Sequence, residues 1–134
     1  TSPFRRPTAV DGIMAKFRTS GADSVVAVVQ QGPFVWKWER GEFTPFYDPG
    51  RRLRRQEIGA QDTLYRECGS LYVFGRAGFE VNECRVFGHV EPYVLEGLEG
   101  LDIDTQEDLD FARLALESGL WEAQLCGGKS TTPG

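Results

Sequence analysis

The stretch Ser24-Val25-Val26-Ala27-Val28-Val29 decides the fold class of this 134-residue chain. It is apolar after its first residue and rich in β-branched side chains, which is typical of a strand buried on both faces of a sheet. Just before it, apolar residues recur at helical spacing from Val10 to Phe17, and Gly21 is expected to end that helix. A helix that leads into a doubly buried strand predicts an α/β fold.

Downstream of this strand, residues 34–47 alternate aromatic and polar side chains around Arg40-Gly41-Glu42. The pattern predicts a β-hairpin with a glycine-assisted turn. Residues 48–62 are polar and rich in arginine, whereas residues 69–74 return to strand character. The sequence therefore predicts an extended arm, over about residues 34–64, that leaves the sheet and returns to it.

The last third of the chain carries one strong helix signal. Thr105 followed by Asp108 is a helix-capping pattern, and the apolar spacing after it predicts a helix that ends near Gly119. Residues 122–134 are expected to form a flexible tail, because their end is small, polar and rich in Gly and Pro. Three shorter elements are predicted before this helix: a helix over residues 77–82 and strands at residues 86–87 and 93–95.

The composition excludes several classes of protein. Because 20 acidic residues outweigh 15 basic ones and the net charge is −5, the chain would repel a nucleic-acid backbone. No apolar run approaches the length needed to cross a bilayer, and no signal segment opens the chain. Three cysteines and a single histidine favour neither a disulfide framework nor zinc. We expect a single cytoplasmic domain that binds neither nucleic acid nor membrane.

Asp102 and Asp104 are candidates for a metal site. In an extended segment both carboxylates lie on one side while Ile103 points the other way, towards the core. Oxygen ligands of this kind suit Mg²⁺, which combines carboxylates with substrate phosphates and water. Acidic residues before a helix also favour the positive end of its dipole. The spacing alone leaves both interpretations open.

A second candidate site is Arg51-Arg52-Leu53-Arg54-Arg55, which places four guanidinium groups in five residues. Guanidinium binds carboxylate or phosphate through two parallel hydrogen bonds, so a small anion or an acidic partner surface is one possible target. The other interpretation is a solvated arm that its charge keeps soluble.

Five segments, taken in order, resemble the acylneuraminate cytidylyltransferases, or CMP-sialic acid synthetases. The two most specific are Tyr65-Arg66-Glu67-Cys68-Gly69-Ser70-Leu71-Tyr72 and the aspartate motif that begins Asp102-Ile103-Asp104-Thr105. The other three are Thr1-Ser2-Pro3-Phe4-Arg5, Ser24-Val25-Val26 and Arg55-Gln56-Glu57. The resemblance implies a Rossmann-like nucleotidyltransferase fold, with a mixed sheet and an extended dimerisation arm. It also implies CTP-dependent activation of an acidic nine-carbon sugar of the sialic-acid type to its CMP-sugar, with release of pyrophosphate.

The resemblance also implies roles for individual residues. Asp102 and Asp104 would hold a catalytic Mg²⁺, with Asp104 the more critical of the two. Arg55 would meet the sugar carboxylate, although the local register leaves Arg54 as an alternative, and Tyr72 would line the sugar pocket. The remaining substrate-binding positions that it implies are Arg66, Ser2, Arg5 and Lys37.

The implied partners are CTP, an acidic sugar and a second copy of the chain in a homodimer. The family's first strand and its CTP-cradling loop have no counterpart here, so residues 1–121 are expected to be the C-terminal part of a single cytidylyltransferase domain whose N-terminal β-α units are missing. Activity is then expected only in the full-length enzyme. Two alternatives stay open: the sister activity on the eight-carbon acid of lipopolysaccharide, and a non-catalytic dimerisation or sugar-binding module.

Overall fold

The computed structural model describes residues 1–127, which form a mixed α/β structure. The described helices are α1 (Pro7–Ser20), α2 (Arg76–Asn82), α3 (Gln106–Glu117) and α4 (Leu120–Cys126). The described strands are β1 (Ser24–Gln31), β2 (Trp36–Glu39), β3 (Glu42–Pro45), β4 (Leu64–Phe74) and β5 (Val90–Leu95). The chain divides into two compact units, a sheet unit (Thr1–Val29 and Glu67 onward) and an arm unit (Gln30–Arg66). Across residues 1–127, no helix has the length and apolar character that crossing a bilayer requires.

A small mixed sheet carries the main core. Its strand order is β4-β1-β5, and β1 runs parallel to β5 with Ser24 opposite Val90 and Val29 opposite Leu95. The first five residues of β1 are buried, so the predicted doubly buried strand is confirmed. The α/β class predicted from it is confirmed as well. The buried side chains of this core include Ala9, Ile13, Val25, Ala27, Cys68 and Leu95.

Helix α1 confirms the predicted amphipathic helix. Pro7 occupies its first turn, where a missing N–H costs no hydrogen bond. Gly21 ends it in the left-handed conformation at φ 67°, which glycine adopts without strain. Gly12 allows α1 to approach β5 closely, because a Cβ there would lie 2.1 Å from the hydroxyl oxygen of Tyr93.

A second core joins the chain's start to its last helices. Phe4 is buried with Leu98, Ala112 and Ala115, and Leu101, Ile103 and Trp121 pack against this cluster. The predicted helix cap is confirmed, because Thr105 and Asp108 form a reciprocal capping box at the start of α3.

Helix α4 corrects the predicted start of the tail. Gly119 reverses the chain in the left-handed conformation, and residues 122–126 continue as helix. The Gln124 side chain accepts a hydrogen bond from the Leu98 N–H at 3.0 Å and donates to the Glu96 carbonyl at 3.1 Å. Residues 128–134 of the predicted tail lie outside the described residues.

The arm unit begins with the predicted hairpin. Strands β2 and β3 pair antiparallel, with Trp38 opposite Phe43, and the turn is Arg40-Gly41 with φ values of 52° and 86°. Two positive φ values in a two-residue turn match the twist of paired strands. Three short 3₁₀ turns follow, at Pro49–Arg51, Arg55–Glu57 and Ala60–Asp62.

The sequence predicts two short elements between β4 and β5. The helix at residues 77–82 is confirmed as α2. The strand at residues 86–87 is wrong, because this segment is irregular and β5 begins only at Val90. The backbone of Phe87 forms hydrogen bonds with a side chain and not with a neighbouring strand. The Phe87 N–H donates to the Ser24 hydroxyl, which in turn donates to the Phe87 carbonyl.

Candidate functional site

The N-terminal segment (residues 1–5) lies beside the aspartate segment (residues 102–104). The Ile103 N–H donates to the Thr1 carbonyl at 2.7 Å, and both Phe4 and Ile103 join the second core. Ile103 is partly buried against this core, and along an extended backbone its two neighbours would point to the opposite side. The packing of Ile103 therefore agrees with the predicted pattern of one apolar residue between two acids.

Three parts of the chain meet at the half-buried Asp102. The Ser2 hydroxyl lies 3.5 Å from Asp102 Oδ1, at the long end of hydrogen-bond distances, and the two residues are 100 positions apart in sequence. On β4, a Cβ added to Gly69 would lie 3.4 Å from Asp102 Oδ2. The N-terminal segment, β4 and the aspartate segment thus surround one carboxylate.

Asp104 has a fixed backbone and an exposed side chain. Its N–H donates to Asp108 Oδ2 at 3.2 Å, and Asp108 also accepts from the Thr105 N–H and hydroxyl. These hydrogen bonds, led by the Thr105 hydroxyl, lower the pKa of Asp108 below its ordinary value. Within residues 1–127 the Asp104 carboxylate itself accepts no hydrogen bond, so it is open to a ligand.

Arg5 connects the N-terminal segment with β4. Its guanidinium donates to the Ser70 carbonyl at 2.8 Å, and Ser70 stands two residues before Tyr72 on β4. The sheet unit therefore brings Arg5 and Asp102 to one stretch of β4, at Ser70 and Gly69, and Ser2 lies beside Asp102.

Tyr72 sits in a polar cluster further along β4. Its hydroxyl donates to Glu67 Oε1, and the Arg85 guanidinium lies over its ring, 4.4 Å from the centroid. The hydrogen bond to Glu67 and partial burial raise the pKa of Tyr72, so its hydroxyl stays protonated at neutral pH. No local sequence pattern indicates that Glu67 and Arg85 lie beside Tyr72. A regular strand would put residues 67 and 72 on opposite faces, which hides their contact from the sequence.

The other predicted site residues belong to the arm unit. Lys37 on β2 forms an ion pair with Glu39 at 2.7 Å, and its ammonium lies 5.0 Å from the centre of the Phe46 ring. Arg55 is exposed and begins a 3₁₀ turn. Arg54, its alternative in the predicted register, is the residue just before that turn. Arg66 is exposed near the start of β4.

The residues of the aspartate segment fit Mg²⁺ better than a metal held by protein ligands alone. Within residues 1–127, no group of three or more His, Cys, Asp or Glu side chains is arranged to hold a metal ion. Asp102 and Asp104 offer two carboxylates, and Mg²⁺ commonly takes its remaining ligands from water and a substrate phosphate. An ion bound by this segment would therefore need further ligands from water or a phosphate group.

Comparison with known proteins gives no family assignment. No protein-family model matches this chain, and no curated protein matches it significantly. The function is therefore inferred from the residues and from where the fold places them.

Proposed function

We propose that this chain carries the metal- and sugar-binding part of a cytidylyltransferase with a Rossmann-like nucleotidyltransferase fold. The reaction is the CTP-dependent activation of an acidic nine-carbon sugar of the sialic-acid type, which yields the CMP-sugar and pyrophosphate. One observation carries the proposal. Three segments that are remote in sequence, and that resemble the same enzyme family, meet around Asp102 through Ser2 and Gly69.

Asp102 and Asp104 have the properties that a Mg²⁺ site needs here. Asp104 presents an open carboxylate on a backbone held by the α3 cap, while the Ser2 hydroxyl orients Asp102. When bound, the ion would neutralise charge on the CTP phosphates and lower the pKa of the attacking sugar hydroxyl. Fixing the backbone before the substrate arrives reduces the entropy that binding costs.

Each unit has its own proposed substrate-binding residues. In the sheet unit, Tyr72 offers a protonated hydroxyl, and Arg5 holds the β4 backbone that leads to it. The proposed contributions of the arm unit are cationic, because a sugar carboxylate and CTP phosphates are both anions. These residues are Arg55, with Arg54 as its alternative, Arg66 and Lys37.

We also propose that the chain acts as a cytoplasmic homodimer. The Phe43 ring contacts those of Trp36 and Trp38 on one face of the hairpin, and between 43% and 74% of each of the three is exposed. Contiguous exposed aromatic surface is typical of protein interfaces, and most soluble oligomers pair identical subunits. A cytoplasmic location suits an enzyme that consumes CTP, and all three cysteines are unpaired.

The test is a pyrophosphate-release assay on the protein expressed from its complete gene. CTP and Mg²⁺ would be combined in turn with sialic, legionaminic, pseudaminic and eight-carbon sugar acids. We expect release with a nine-carbon acid and none without CTP. Release only with the eight-carbon acid would assign the sister activity. Silence with every sugar would contradict the enzyme class, and sugar binding without turnover would indicate a non-catalytic binding module.

A further inference from the structure

Tyr72, Glu67 and Arg85 form a cluster within the sheet unit that has two chemically different ends. At one end the Tyr72 hydroxyl donates to Glu67, which leaves lone pairs on the phenolic oxygen. At the other end the Arg85 guanidinium lies over the ring. Tyr72 thus contacts the Glu67 carboxylate through its hydroxyl and the Arg85 cation through its ring.

Arg85 belongs to a short segment whose backbone is anchored on both sides. Before it, the Glu83 N–H donates to the Phe79 carbonyl at 2.8 Å and closes α2. After it, Phe87 exchanges two hydrogen bonds with the Ser24 side chain. The position of Arg85 is therefore set by the sheet and by α2, as a binding residue requires.

The Arg85 guanidinium is available to a ligand. In the part of the chain that the structure describes, it forms no ion pair or hydrogen bond, and its contact is with the Tyr72 ring. A cation–π contact stabilises the charge and leaves the N–H groups free to donate. A guanidinium with free donors recognises a carboxylate through two parallel hydrogen bonds.

We infer that Arg85 is a specificity-determining residue that binds the carboxylate of an acidic sugar whose body lies beside Tyr72. The inference rests on the proposed function and adds to it a carboxylate-binding residue that the family resemblance does not supply. The ligand class is a polyhydroxylated monocarboxylate.

The charges of the cluster also fix the direction of such a ligand. Glu67 would repel a carboxylate near the Tyr72 hydroxyl but would accept hydrogen bonds from sugar hydroxyls. Arg85 attracts the carboxylate towards its own guanidinium. The acidic end of the sugar therefore lies at Arg85, and its hydroxyl-bearing end lies at Tyr72 and Glu67.

The test compares binding of N-acetylneuraminic acid with binding of its uncharged methyl ester, by ligand-observed NMR titration. Arg85→Gln and Arg85→Lys would be measured beside the wild-type protein, Arg55→Gln and a matched control. The control is Arg18→Gln, which removes the same charge from an exposed position of α1. Because Arg85 is exposed, its variants are expected to fold.

We expect the wild-type protein and Arg18→Gln to bind the acid at least about tenfold more tightly than the ester. Arg85→Gln should lose that preference while keeping its affinity for the ester, and Arg85→Lys should keep part of it. If Arg85→Gln keeps the full preference and Arg55→Gln loses it, the inference is overturned while the proposed function stands. If the wild-type protein binds neither ligand, the inference and the sugar-binding part of the proposed function are both contradicted.

Discussion

Phe4 is the side chain that attaches the N-terminal segment to the core. It is almost fully buried against Leu98, Ala112 and Ala115, with its ring 5.1 Å from that of Trp121. Arg6 supports the same attachment through two contacts with the buried Glu99. Its N–H donates to the Glu99 carboxylate, and its guanidinium forms an ion pair with that carboxylate. The position of Ser2 beside Asp102 thus depends on an apolar anchor as well as on polar contacts.

We therefore expect Phe4→Ala to lower the free energy of unfolding by about 3–5 kcal/mol, because it removes a buried ring and leaves a cavity. Urea denaturation of the protein would measure this loss. Phe111→Ala is the matched control, since about half of Phe111 is exposed on α3 and its loss should cost far less. Equal losses in the two variants would mean that the N-terminal segment is not anchored as described.

The α3 cap is the element that fixes the backbone at Asp104, and it depends on the ionised form of Asp108. Its pKa is lowered in the folded protein, so the stabilisation is complete above the ordinary Asp pKa and is lost as the pH falls through the lower, folded pKa. We expect Asp108→Asn to melt at a lower temperature than the wild-type protein at pH 7. The difference should shrink on acidification below about pH 4. A melting-temperature series from pH 7 to pH 2.5 checks this, and a difference that is absent at pH 7, or unchanged in acid, would contradict the role of the cap.

The elements with local signals were predictable from the sequence. Helix α1 follows from its apolar spacing, β1 from its apolar run, and α3 from the Thr105 cap. The elements set by distant contacts were not. Gln124 supports α4 by bonding residues 96 and 98, and the segment around Phe87 bonds Ser24 instead of forming a strand.

The candidate site was predictable in part, for the same reason. The alternation of Asp102, Ile103 and Asp104 indicated two carboxylates on one side, and the packing of the partly buried Ile103 against the second core agrees with it. The meeting of Ser2 with Asp102 depends on how the chain folds over 100 residues. In a regular strand Cys68 would face away from Leu71 and Val73, yet all three pack against the same core. The contact between Glu67 and Tyr72 depends on this change of face within β4.

At the scale of the whole molecule, the arm unit presents the aromatic face of Trp36, Trp38 and Phe43, and we expect it to hold two copies of the chain together. Trp38→Ser should shift the protein from dimer to monomer in sedimentation velocity, because it removes the most exposed aromatic side chain of that face. Val81→Ser, which alters an exposed apolar residue on α2, should leave the dimer intact. A wild-type protein that is monomeric at all concentrations, or a Trp38→Ser dimer as stable as the wild type, would contradict this arrangement.

The proposed function requires Asp104 to carry the metal-dependent chemistry. The Asp104→Asn variant tests this requirement most directly. CTP- and Mg²⁺-dependent pyrophosphate release would be measured for this variant in the protein expressed from its complete gene. Asp110→Asn is the control, because it makes the same change of charge at an exposed position of α3. We expect Asp104→Asn to lose at least about a hundredfold in turnover with little change in melting temperature, and Asp110→Asn to keep the wild-type rate. Unchanged turnover in Asp104→Asn, or an equal loss in both variants, would remove the metal role from this residue.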